Sequence, residues 1–352
     1  MRKTEISDAW YGSNGPDNDV VLSSRVRLAR NLANFPFPQG FKNSDGDRVQ
    51  SLVFDAFHKI DENETYQSLL ISELDSLGQK ILSERGVIEP DSILQTSSGL
   101  ILRGDGRVSC TVNCYDHIRL SSFVTGLDLS NAKKLVKEID DKLQKHLQIA
   151  GSVEFGYLTS AIKDAGSGMK ISLLVHLPAI SYGGMLDRVL KEIMSEGFSV
   201  IGYYGSGMTL GSSLGAFYKI STEVSFSEDE EIQLEKINNL GKKIIDFERK
   251  VRLEIADNKP TFVRDLVYKA IAMVKYSRFI DSRDGIDLIS KIKFGLDLGL
   301  LTGIETNVLF SLLYRVQNAH LSYVIRSSDL SYEKDVNTEE LKNERKNKGL
   351  SI

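Results

Sequence analysis

Arg25, Arg27 and Arg30 stand in the apolar run VVLSSRVRLARNL, Arg119 follows Asp116 and His117, and Lys170 follows the turn GSGM. Glycine-flanked backbone amides and arginine forks suit a polyphosphate, because a planar guanidinium meets two phosphate oxygens at once. The spacing suggests that Arg25, Arg27 and Arg30 lie close in space. Arginines also decorate solvated faces, and the chain has neither a GxxxxGK[ST] loop nor a protein-kinase signature, which argues against the familiar nucleotide folds. His117, in YDHIR, has the chemistry of a base and equally that of a hydrogen-bonded structural residue. His176 alternates with Lys170 and Ser172 on one strand face, where packing is as simple a role.

These side chains need a scaffold. GRVSCTVN (106 to 113) alternates as a half-buried strand, with Val108, Cys110 and Val112 on one face. SNAKKLVKEIDDKLQKHLQ carries Leu135, Ile139, Leu143 and Leu147 at helical spacing behind Ser130, a fitting cap. GYLTS and KISLLVHLP read as strands joined by AIKDAGSGM, and GGMLDRVLKEIMSEG as a helix stopped at Gly197. FSVIGYYG and AFYKISTEVSF resume strand character on either side of the glycine-rich GSGMTLGSSLG. Tyr203, Tyr204, Phe217 and Tyr218 are expected in the core of the sheet. Ser227 and Glu230 have the spacing of a capping box for a long helix, and from about residue 251 onward the pattern is helical.

The chain has 352 residues, with 44 Lys and Arg against 48 Asp and Glu, and 41% hydrophobic residues. That length predicts two domains, and the balanced composition excludes a mainly disordered or collagenous chain. A net charge of −4 provides no global field for nucleic acid, so an anion site must be a local basic cluster. The start MRKTEISDAW lacks a signal-peptide run, and no stretch of about 18 apolar residues occurs, so the expected location is cytoplasmic with no membrane association. Cys110 and Cys114 are too few for a disulfide framework or a four-cysteine zinc site, which fits a reducing compartment.

Taken together, GPDNDVVLSSRVRLARNLANFPFP, DHIRL, FGYLTSAIKDAGSGMKISLLVHLPAI, GFSVIGYYG with GAFYKIS, and FIDSRDGIDLISKIKFGLDLGLL resemble the ATP:guanido phosphotransferases, and within them the McsB-type protein arginine kinases. The resemblance covers nearly the whole chain in order. It implies an α+β fold: an antiparallel sheet flanked by helices, followed by a small all-helical C-terminal domain. The corresponding divisions are an N-terminal segment 1–16, a catalytic-type domain 17–250, a helical domain 255–328 and a charged tail 329–352. It also implies Mg-ATP as cofactor, protein substrates or partners, a connection with Clp-type proteolysis, and possible homodimers.

Residue by residue, the resemblance assigns ATP binding to Ser23, Ser24, Arg25, Arg27, Arg119, Lys170 and Ser172, with Lys170 where the family has arginine. Other positions depart from the pattern. The family's NEEDHIR is Asn113-Cys114-Tyr115-Asp116-His117-Ile118-Arg119, so Cys114 and Tyr115 stand where the family has glutamates. RGxYGE is Ile201-Gly202-Tyr203-Tyr204-Gly205-Ser206, which places Ile201 at a phosphate-binding arginine and Ser206 at a carboxylate. Ala161 replaces the family's reactive cysteine, Gly86 a histidine, and Lys334 and Thr338 the arginines of RDxxRA. One general base contributes about 10²- to 10⁴-fold and one electrostatic group about 10²- to 10³-fold, so the expectation is a kinase homologue with weakened or lost catalysis. The alternatives are an active divergent protein arginine kinase and a small-guanidine phosphagen kinase.

Overall fold

Ten β-strands and ten α-helices make up the described part of the chain, residues 9–42, 44–61, 65–89, 92, 94–205, 213–223 and 229–327 of a computed structural model. In chain order the strands are β1 (Val21–Arg30), β2 (Tyr66–Leu70), β3 (Gly99–Arg103), β4 (Val108–Val112), β5 (Ile118–Thr125), β6 (Gly151–Ser152), β7 (Gly156–Tyr157), β8 (Met169–His176), β9 (Phe198–Gly202) and β10 (Phe217–Thr222). Eight of them form one antiparallel sheet in the order β2-β3-β4-β5-β1-β8-β10-β9, while β6 and β7 pair separately. The helices are α1 (Asp45–Ile60), α2 (Ser76–Glu84), α3 (Leu129–Leu143), α4 (Pro178–Tyr182), α5 (Leu186–Ser195), α6 (Glu230–Asn258), α7 (Pro260–Tyr276), α8 (Ser282–Asp297), α9 (Thr306–Arg315) and α10 (Asn318–Ser327).

Strand alternation gives the sheet two unlike faces. Val26 and Leu28 of β1 bury with Ala132, Val136 and Ile139 of α3, Val49 and Val53 of α1, and Ile237 and Ile244 of α6. The opposite face carries Arg25 and Arg27. Even the polar residues of β4 are covered: Ser109 and Thr111 are buried, so β4 is buried on both faces rather than half-buried. A second apolar cluster, with Trp10, Phe123, Leu174, Tyr204 and Phe217, joins the sheet to Ile286, Phe310 and Tyr314 of the C-terminal helices. Tyr218 belongs to the first cluster. Trp10 stacks on Phe123 at 5.6 Å between ring centroids, which ties the N-terminal segment to β5.

Charge reinforces the same junction. The Asp19 carboxylate pairs with Arg252 of α6 at 2.9 Å, and the Asp19 carbonyl accepts from Lys293 of α8 at 2.7 Å. α6 runs unbroken through residue 250 to Asn258, and α7 starts at Pro260. Glu248 accepts the amides of Ala179 and Ile180 at 3.0 Å each, satisfying donors at the start of α4.

Two helix starts differ from the sequence expectation. α3 is capped by Asp128, whose side chain accepts from Asn131 N, while Ser130 lies inside the first turn. α6 is capped by Asp229, which accepts from Glu231 N at 2.7 Å; Ser227 lies outside the described residues. Aspartate and serine compete for the same capping role, and the residue with extended or irregular backbone just before the helix takes it. GYLTS forms a strand only at Gly156–Tyr157, since Tyr157 pairs with Gly166 as well as Gly151 and the chain then turns away. The run Lys334 to Glu339 and the rest of 328–352 lie outside the described residues. Among the described residues no helix is long and apolar enough to cross a membrane.

Candidate active site

Sheet register assembles the basic cluster. Arg25 of β1 is paired with Phe123 of β5 and Ser172 of β8; Arg27 is paired with Ser121 and Lys170. Arg119 stands across from Ala29, one step further along the same face. Direct antiparallel partners share a face and approach within about 5.5 Å, so residues far apart in the chain arrive together. On the next strands Lys219 pairs with Leu174 and Ile201, and Ser221 pairs with Ser172, to which it donates a hydrogen bond at 3.0 Å.

Arg30 does not join this cluster. Its distance of three residues from Arg27 is odd, and alternation sends it to the helix-covered face. There it makes two bonds to Asp140 of α3, at 3.2 and 2.9 Å, and lies under the Tyr157 ring at 3.6 Å. Gly168, in the left-handed region, passes so close that a Cβ there would meet Arg30 Nη1 at 2.5 Å. Ser24 also faces away, with its hydroxyl donating to the Gly126 carbonyl at 2.7 Å. Ser23 and Ser172 line a small cavity beside Arg25 and Lys219.

The three arginines of the open face converge on Glu89. Its Oε1 lies 3.0 Å from Arg25 Nη1, and its Oε2 lies 2.5 Å from Arg27 Nη1 and 2.7 Å from Arg119 Nη1. Burial pushes the Glu89 carboxyl up, but Arg25, Arg27 and Arg119 outweigh it and hold the group well below the ordinary range. Asp164 adds a second carboxylate, 3.0 Å from Arg27 Nη2. Arg119 also donates from Nε to Asp116 at 3.2 Å and lies 4.2 Å over the Tyr115 ring. Neither Glu89 nor Asp164 is legible as a site residue: Glu89 reaches in from an irregular segment and Asp164 from the single 3-10 turn Ile162–Asp164, both too short for a periodic signature.

Lys170 and Lys219 line the same cavity as Arg27, Glu89 and Asp164, and neither makes an ion pair among the described residues. Burial, followed by the Arg25 charge, pushes Lys219 down to about 8; burial followed by Arg27 lowers Lys170. The cavity measures about 160 Å³ and the neighbouring one beside Ser23 about 50 Å³, against roughly 300 to 1,000 Å³ for ordinary ligand pockets.

DHIR serves as scaffold. Asp116 accepts from Asn31 Nδ2 at 2.8 Å and Ser160 N at 2.7 Å, besides Arg119. His117 Nδ1 accepts from Leu32 N at 2.9 Å, and burial pushes the ring down to about 4. The neutral His117 ring thus holds the loop rather than moving protons. Asn113, at φ 55°, makes the turn before it, with Nδ2 donating to the carbonyls of Gly46 and Ser97. His176 is buried against Phe217 and bonded to Ser290, with its charged form strongly disfavoured by burial.

At the substituted positions, Tyr115 and Ala161 line the larger cavity and Gly86 the smaller one. Gly86 takes φ +68°, a conformation that costs glycine little. Cys114 points elsewhere: it is buried with Ile71, Ile88 and Leu100, and burial raises its thiol to about 11. Cys110 is likewise buried and raised, so both thiols are packing groups. Ile201 is exposed on β9, and Ser206 lies outside the described residues. Among the described residues no three His, Cys, Asp or Glu side chains gather as a metal cage.

Residues 48–251 match the ATP:guanido phosphotransferase C-terminal catalytic domain, and residues 260–346 match the protein-arginine kinase McsB C-terminal domain. The chain belongs to the ATP:guanido phosphotransferase family. Within it, the chain groups with the McsB-type protein-arginine kinases: it is 32% identical to that of Syntrophomonas wolfei subsp. wolfei over 89% of this chain and 88% of the relative. Identity to the protein-arginine kinase of Desulforamulus reducens is 33%, over 93% of this chain and 92% of the relative. In fold it is similar to the substrate-free duplicated taurocyamine kinase from Schistosoma mansoni, with TM-score 0.59 and 17% identity over 73% of this chain; it spans 39% of that longer protein.

Proposed function

We propose that this chain is a nucleotide-binding protein-arginine kinase homologue in which phosphoryl transfer is weakened or lost. Transfer to a guanidinium needs cations that neutralise the phosphates and a carboxylate that orients the nitrogen and takes its proton. Arg25, Arg27, Arg119, Lys170 and Lys219 supply the first requirement. One observation carries the reading on the second: every described carboxylate of the site is already bonded to arginine. Glu89 holds Arg25, Arg27 and Arg119; Asp164 holds Arg27; Asp116 holds Arg119 and two backbone-positioning donors. Tyr115 carries a phenol ring, stacked against the Arg119 guanidinium, where a carboxylate would be needed, and the Cys114 thiol lies buried in an apolar cluster.

ATP is the nucleotide of this reading. Mg would arrive on its phosphates, where it would shield their charge, while Arg27 and the two lysines orient them. Ser23 and Ser172, beside Arg25, suit contacts to the same ligand; Ser24 holds β1 to the turn at Gly126 instead. In this role the protein would act through other proteins, in cytoplasmic quality control alongside Clp components, with the region 255–328 as its helical module.

Calorimetric titration with ATP, paired with an assay for phosphoarginine, tests the reading. Binding without transfer supports it. Efficient transfer overturns it in favour of an active divergent kinase, and transfer to free arginine or creatine in favour of a phosphagen kinase.

A further inference from the structure

Glu89 occupies the position an anion would take among three convergent arginines, and the charges at that position balance. Arg25, Arg27 and Arg119 face Glu89, Asp164 and Asp116, with each arginine in at least one ion pair. A carboxylate held by three guanidinium groups has the chemistry of a bound phosphate: two oxygens shared among charged N–H donors. Arg25 Nε and Arg27 Nε nonetheless remain buried without a hydrogen-bond partner, so the internal carboxylate leaves donors unsatisfied that a larger anion has oxygens to reach.

We propose that Glu89 is an internal ligand of the arginine triad and that a polyphosphate binds this site by displacing it, entering along Lys170 and Lys219. The inference rests on the reading of this face as a nucleotide site.

The surroundings divide into a fixed and a movable part. Ile88 is anchored in the cluster with Cys114, Ile71 and Leu100, so the backbone before Glu89 is pinned. Glu84, five residues earlier, accepts the amides of Ala319 and His320 at the start of α10, which pins the end of α2. The Glu89 side chain keeps 14% of its surface in solvent, so the displaced carboxylate has water to turn into, away from the arginines. Lys163, Lys170 and Lys219 line the same cavity without an ion pair among the described residues, and the half-buried Lys170 and Lys219 offer an incoming phosphate its first contacts inside it. Displacement lowers apparent affinity by the fraction of molecules with Glu89 released. A polyphosphate, with more charge and more oxygens than a carboxylate, is favoured over monoanions under that competition.

The test is calorimetric titration of the full chain with inorganic pyrophosphate, for wild type, Glu89→Gln and Glu89→Asp. Removing the charge is expected to tighten pyrophosphate binding by about tenfold or more, and shortening the side chain by a smaller factor. Equal or weaker binding by Glu89→Gln overturns displacement while leaving nucleotide binding intact. If neither wild type nor variants bind pyrophosphate or ATP, both the displacement and the nucleotide site fall. Should Glu89→Gln not fold, Glu89→Asp decides: a dissociation constant equal to wild type overturns the proposal.

Discussion

Ile201 of β9 stands directly across from Lys219 of β10 in the sheet register. The position at which the family pattern carries a phosphate-binding arginine is thus apolar, and a cation faces the cleft one strand further in. A lysine is a point charge without the planar fork, so it restores attraction without bidentate geometry. Lys219→Met is expected to weaken ATP binding by about 10- to 150-fold, in line with roughly 1.5 to 3 kcal/mol for a charge-assisted hydrogen bond. Calorimetry checks it, and unchanged affinity would remove Lys219 from the site.

The lowered ionisation of Lys219 gives that contribution a pH signature. Below about 8 Lys219 is charged and attracts the anion; above it the site loses one positive charge. Pyrophosphate affinity should therefore fall between pH 7 and pH 9, and Lys219→Arg should flatten the fall, since arginine stays charged. For folding alone the sign is opposite. The folded state releases this proton at lower pH than the unfolded chain does, so the burden of burying the charge is relieved as pH rises through about 8.

On the other face, Arg30 and Asp140 form a two-bond ion pair with side chains 1% and 3% exposed. Asp140→Ala leaves a buried guanidinium without its partner, and a loss of roughly 3 to 5 kcal/mol is expected from denaturant unfolding. Nucleotide affinity should change little, because the pair lies across the sheet from Glu89. A loss below about 1 kcal/mol would show that the site relaxes or hydrates.

Acid should act first through Glu89. Its folded carboxyl is depressed, so the stability it contributes is present above the ordinary glutamate range and is lost as pH falls through the lower folded value. Glu89→Gln should flatten that acid limb of the stability profile, as followed by thermal melting from pH 6 downward.

Much of this architecture is legible in the sequence. Period-two alternation marks β4, the helical spacing of Ile139 and Leu143 marks α3, and closeness in the chain brings Arg25 and Arg27 together. The same alternation, applied strictly, also separates Arg30 from them; proximity in sequence concealed a change of face. Glu89 and Asp164 lie 62 and 137 residues from Arg27 and reach it from an irregular segment and a single 3-10 turn, where no periodicity marks a side chain's direction. The resemblance singles out Gly86, while Glu89, three positions on, makes the contact. Lys219 was hidden for a related reason, because only the β9–β10 register shows that it opposes Ile201.

Replacing the missing groups tests whether they alone limit the chemistry. Tyr115→Glu, Ser206→Glu and Ile201→Arg, combined, should bring phosphoryl transfer up by at least about 10²-fold, the lower end for one restored base. Each change alone should recover less, since groups acting together are not additive.

The central claim is that the site holds a nucleotide yet transfers little or no phosphate. Intact-mass spectrometry of the wild-type protein with an unfolded protein substrate, under saturating Mg-ATP, addresses it most directly. The account predicts no phosphate added to either protein over a time in which an active family member modifies its substrate fully. Rapid addition of phosphate to arginine side chains, abolished by Arg27→Ala, would contradict it.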